Sequence, residues 1–70
     1  MSDFSLEGHE YIALNDLLKI VGLCDSGGAA KIVIADGKVK VDDVTELRKT
    51  CKIRQGQKVQ YAGETISVVQ

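Results

Sequence analysis

The chain has 70 residues, a formal net charge of −1, 44% apolar and 27% charged residues, two cysteines and no proline. That length holds one small domain with little volume for a buried active-site cavity beside its core, and the apolar fraction excludes a disordered chain. The near-neutral balance excludes a polycation that coats nucleic acid by bulk charge, but it leaves room for a local basic patch.

Phe4, Ser5 and Leu6 form an apolar-polar-apolar piece that could add a strand. The first strong pattern is Leu14, Leu17, Leu18, Val21. Its i, i+3, i+4, i+7 spacing puts four apolar side chains on one helical face and predicts a helix over 15–21. Asn15 is the expected N-cap and Gly22 the expected left-handed stop. Ser26 is expected to cap a second helix over 27–35. Gly27 and Gly28 weaken its first turn by about 1 kcal/mol each relative to Ala. Ala30, Val33 and Ile34 form its apolar face, and Ile32 falls opposite.

From Lys38 the period changes to two. Lys38-Val39-Lys40-Val41 alternates as a half-buried strand does. Asp42-Asp43 is a turn candidate. Leu47, Cys51 and Ile53 are the apolar members of the next stretch, and Gln55-Gly56-Gln57 is another turn. Val59 and Tyr61, then Ile66 and Val68, alternate around Ala62-Gly63-Glu64 as a β-hairpin. Helices and strands are segregated, which predicts an α+β domain with a mostly antiparallel sheet.

The charge is unevenly spread. Residues 1–30 carry five acidic side chains and Lys19 alone, a net of −4, and residues 31–70 carry a net of +3. Residues 48–58 hold Arg48, Lys49, Lys52, Arg54 and Lys58 with no acidic residue. With Cys51 and Ile53 inward, a regular strand places Arg48, Lys52 and Arg54 outward; Lys38 and Lys40 likewise oppose Val39 and Val41. Lys31 lies on the flank of the second helix. These side chains, with Lys49, are candidates for one basic surface where the second helix meets the sheet.

The acidic N-terminus and the absence of a signal-peptide layout or long apolar run predict a soluble, cytoplasmic protein. Cys24 and Cys51 stand 27 positions apart, and His9 is the single histidine. Neither a zinc pair nor a redox pair is spelled, so the thiols are read as buried packing groups, with no metal and no cofactor expected.

The ordered landmarks resemble a known family. Leu14-Asn15-x-x-Leu18-x-x-x-Gly22, then Ser26 with Ala30-Lys31 and Val33-Ile34, then Gly37-x-Val39-x-Val41-Asp42, then Ile53-x-x-Gly56-x-x-Val59 are similar to the αL-motif RNA-binding domain, the ribosomal-protein-S-four type. The match is greatest to its small stand-alone bacterial members. The resemblance implies an α+β fold in which two short helices pack on a small sheet of about four to five strands. It implies one domain over 1–70, with a family-like core from about residue 12 and an N-terminal extension over 1–11. It also implies an RNA-binding surface built from Lys31, Lys38, Lys40, Arg48, Lys49, Lys52 and Arg54. The chain departs from the pattern at Ala13 and Gly27, where the family commonly has Arg. It departs again at Asp42-Asp43, in place of Asn-Gly, and at Gln57, in place of Asp.

Phe4, Tyr11 and Tyr61 are scattered and spell no paired-aromatic platform, which favours structured RNA, ribosomal RNA among the candidates, over single strands. Phosphate contacts give affinity without reading sequence, so the expected mode is shape and backbone recognition by a monomer. No enzyme is expected, because no nucleophile–base constellation or phosphate-cradling loop with its Lys is present. A protein-interaction module within an RNA-related complex is the alternative. A β-grasp sulfur carrier is disfavoured because the chain ends Val68-Val69-Gln70 rather than Gly-Gly.

Overall fold

The first helix has two of its free N-terminal backbone donors taken up from outside. In the computed structural model, which describes residues 2–70, β1 (Ser2–Ser5) and β2 (Ile12–Ala13) precede α1 (Leu14–Ile20). The cap position is Ala13, with no side-chain bond. Instead Leu14 N donates to the Cys51 carbonyl at 2.8 Å and Asn15 N to the Lys49 carbonyl at 3.2 Å. Tertiary backbone bonds thus replace the expected Asn15 cap, and Asn15 lies buried within the first turn. Leu14, Leu17 and Leu18 are fully buried, as their spacing predicts. Gly22 follows the helix with φ +82°, a left-handed backbone that costs glycine nothing.

The second helix, α2 (Gly27–Ala35), has the expected bounds. Ser26 is extended, and its Oγ accepts from Ala29 N at 3.0 Å. Ser26→Ala is expected to remove about 1 kcal/mol of stability, read as a lower urea midpoint at unchanged slope. Ala30 and Ile34 are buried against the core, while Ile32 is 64% exposed.

The strands β3 (Lys40–Val41), β4 (Val44–Thr45), β6 (Lys58–Tyr61) and β7 (Glu64–Val69) join β1 in a five-stranded sheet of order β1-β7-β6-β3-β4, and β5 (Lys52–Ile53) pairs with β2 in a separate ribbon. All pairs are antiparallel except β1 with β7, which is parallel. The fold is α+β. Asp42 and Asp43 have φ 52° and 67°, and Ala62 and Gly63 have φ 54° and 81°. Each pair supplies the two left-handed residues that a tight hairpin needs to match strand twist.

Val41, Val59 and Ile66 stand in one row across three strands and face the core. Lys40, Gln60 and Thr65 form the adjacent row on the opposite side. Tyr61 is half-buried against the core. Cys24 and Cys51 are buried and free. Burial raises the pKa of both thiols, with Asp25 adding to the rise at Cys24 and Glu46 at Cys51. Leu47 does not join the strand stretch expected of it. It lies between β4 and β5 and is 59% exposed, because the ladder there contracts to Lys52 and Ile53.

Candidate nucleic-acid interface

The segment 49–54 is held in place by its neighbours at both ends. At its start, the Lys49 and Cys51 carbonyls cap α1. In the middle, Ile12 pairs with Ile53 and Ala13 with Lys52. At its end, Arg54 N donates to Gln57 Oε1 at 2.7 Å and Gln57 N returns to the Arg54 carbonyl at 3.2 Å. Gln57 closes this turn at the position where the resemblance has Asp, so that departure keeps a side-chain acceptor.

With Ile53 fully buried, the alternation of a strand turns Lys52 and Arg54 outward. The register puts Tyr11 and Ala13 on that same outer face of the ribbon. Lys52 Nζ stands 5.1 Å and the Arg54 guanidinium carbon 5.5 Å from the Tyr11 ring centroid. Each contact is a cation–π interaction of about 0.5–1 kcal/mol at an exposed site. It biases two long, rotamer-rich side chains toward the ring without neutralising them.

Arg48 is placed differently. The Glu46 carboxylate accepts from Arg48 N at 3.0 Å, Nε at 2.9 Å and Nη2 at 3.0 Å. This is the one ion pair among the described residues. The hydrogen bonds from the Arg48 side chain and backbone hold the Glu46 pKa down at about 2, below its ordinary 4.5. A depressed carboxylate contributes stability above its unfolded pKa and loses it as pH falls through the folded value. Glu46 therefore stabilises the fold above about pH 4.5, and that contribution drains between there and about pH 2. The gap in urea midpoint between wild type and Glu46→Gln is expected to narrow over that window. A carbon-detected NMR titration should place the Glu46 midpoint near 2 and show it rise toward the ordinary range in Arg48→Met, which keeps only the backbone bond from that position.

The remaining predicted cations, Lys31 on α2, Lys38 after it, Lys40 on β3, Lys49, Lys52 and Arg54, are all exposed. None has an acidic partner within ion-pair distance among the described residues. Arg48, Thr50, Cys51 and Lys52 line a shallow depression. Lys40 stands on the outer face of the five-stranded sheet, in register with Gln60. Lys58, two residues before Gln60, shares that face and was not among the residues expected at the site. Its signal was the alternation against Val59.

A family model, the S4 domain, matches residues 4–69. The chain belongs to the S4 domain family. Among curated proteins, this S4 domain is 52% identical over 69 residues to "Putative RNA-binding protein YbcJ" of Escherichia coli (strain K12), covering 99% of each chain. It is equally similar to the "Uncharacterized protein YbcJ" of Shigella flexneri. The solution structure of YbcJ from E. coli, described as having an αL motif involved in RNA binding, superposes with a TM-score of 0.77 at 51% identity. That match covers 100% of this chain and 89% of the other. The S4 domain resemblance read from the ordered leucine, glycine and valine landmarks is therefore correct.

Tyr11 is the functional candidate that sequence reasoning missed. Its place beside Lys52 and Arg54 follows only from pairing Ile12 with Ile53, two residues 41 positions apart. No local period connects them.

Proposed function

We propose that this protein is a non-catalytic binder of structured RNA, which it holds by shape and phosphate contacts through Lys31, Lys38, Lys40, Arg48, Lys49, Lys52 and Arg54. The observation that carries the reading is the pair Lys52 and Arg54, gathered over the Tyr11 ring on one outer face and left uncompensated by any carboxylate among the described residues. Cations gathered in this way lose less entropy, and no ion pair, when they meet a phosphate. Membership of the S4 domain family and the similarity to YbcJ, a relative named for RNA binding, support the same reading. The cytoplasm is where such an RNA partner is met.

Arg48 has a modulating part. Its guanidinium is already satisfied by Glu46, so a phosphate must displace that carboxylate to use it. The acidic first segment opposes nonspecific attachment, leaving the basic side chains to select by geometry.

Filter binding to a folded ribosomal RNA fragment across a salt series tests the reading. Neutralising about five phosphates gives a log–log slope near −4.5 on duplex-like RNA. A slope near zero points to an uncharged interface and overturns it.

A further inference from the structure

Beside the ribbon, the turn after β1, β2 and the end of α1 form an open concavity of about 330 Å³. Its walls include Phe4, Leu6, His9, Tyr11, Ile12 and Ile20. Ile20 is 60% and Tyr11 41% exposed, so much of this apolar wall is in water. The rim is braced. Gly8 N donates to Gln70 Oε1 at 3.0 Å, Gln70 Nε2 donates to the His9 carbonyl at 3.2 Å, and Leu6 N donates to the Val69 carbonyl at 2.7 Å. A preformed, mostly apolar concavity of this size with a few polar groups at its edge is how small planar ligands are held.

Tyr11 belongs both to this cavity and to the cationic face of the ribbon. On that face Ala13 is too short to cover the ring. Charge is graded across the site. Lys52 and Arg54 stand at Tyr11, whereas Glu7 lies on the cavity wall, and Glu10 and Asp16 line the adjoining hollow that Tyr11 also borders. An anion is drawn to the ribbon and repelled from the cavity, while a neutral planar group is accepted inside. A nucleotide has this polarity, with a phosphate at one end and a flat, uncharged base at the other. Paired bases cannot enter, because they are stacked within the duplex; unpaired bases at bulges and loops are the ones that splay onto aromatic side chains and guanidinium planes.

We propose that Tyr11, Lys52 and Arg54 form a site for one unpaired nucleotide of the bound RNA, its base stacked on the Tyr11 ring at the cavity mouth and its phosphate held by the two cations. This rests on the RNA-binding function above and narrows it. The preferred ligand is a helix interrupted by a bulge or a loop, rather than a continuous duplex.

The test uses two RNA hairpins, identical except that one carries a single bulged 2-aminopurine. Wild type is expected to bind the bulged hairpin several-fold more tightly and to quench the 2-aminopurine fluorescence by stacking. The Tyr11 ring resonances should shift on adding it while those of Tyr61, packed against the core, stay in place. Tyr11→Phe keeps the preference. Tyr11→Leu, with folding checked by its thermal transition, loses roughly tenfold on the bulged hairpin, the effect of one stacked base. Its binding to the uninterrupted hairpin falls less, since only the ring's contact with Lys52 and Arg54 is lost there. Equal wild-type affinity for the two hairpins, an unmoved Tyr11 ring, or a preference that survives in Tyr11→Leu overturns the nucleotide site and leaves RNA binding standing. No binding to either hairpin at low salt overturns both.

Discussion

Leu17→Ala is expected to leave the protein at the edge of unfolding. Leu17 is fully buried where α1 meets the rest of the core. Truncating such a leucine costs about 2–5 kcal/mol in lost transfer energy and residual cavity. A domain of this size has a total stability of roughly 4–10 kcal/mol, so one side chain removes a large share of it. Urea unfolding checks this. The midpoint should fall by a third or more with an unchanged slope. Ile32→Ala on the exposed side of α2 should stay within about 0.5 kcal/mol of wild type. Equal effects of the two substitutions would mean that the α1 face is not the centre of the core.

The second large effect is on RNA. The double variant Lys52→Ala, Arg54→Ala removes the two cations that the Tyr11 ring holds. Affinity for a folded RNA is expected to drop on the order of tenfold or more at low salt, and the log–log salt slope to shrink by about 2, one unit per lost phosphate contact. Neither side chain is in the core, so the urea midpoint should move little. Arg48→Ala is expected to cost less affinity than either single change, because Glu46 already occupies its guanidinium. Glu46→Gln should raise affinity by releasing it. If Arg48→Ala proves the most damaging of the three, the ion pair opens on binding and Arg48 carries the contact.

How far the sequence reached depended on whether the determining interactions were local. The faces of α1 and α2 were legible because Leu14, Leu17, Leu18 and Ala30, Val33, Ile34 repeat at the helical period within one segment. Ser26 was legible because its hydroxyl bonds three residues ahead. The β6–β7 hairpin followed from alternation around Ala62-Gly63-Glu64. The β2–β5 ribbon was not legible, since a pair of two-residue strands has no period to detect. That single omission explains two others. Asn15 was read as a cap because the backbone donors of α1 had no visible partner. Those partners, the Lys49 and Cys51 carbonyls, lie on the β5 side of the ribbon. Tyr11 was read as an isolated aromatic because its cationic neighbours lie across the same pairing. The outward direction of Lys52 and Arg54 was legible from Cys51 and Ile53. The engagement of Arg48 by Glu46 was not, because alternation says which way a side chain points and nothing about what it meets there.

The near-neutral charge of the chain is thus the sum of an acidic first segment and a basic remainder, and of the seven cations expected at the site one is internally paired while six stand free of carboxylates among the described residues. In the proposed binding mode those side chains meet RNA, which an amide NMR titration with a folded ribosomal RNA fragment checks. Salt-sensitive shifts are expected to concentrate at residues 48–54, with Lys31, Lys38 and Lys40 responding. Shifts absent from residues 48–54, or no shifts at low salt, would contradict it.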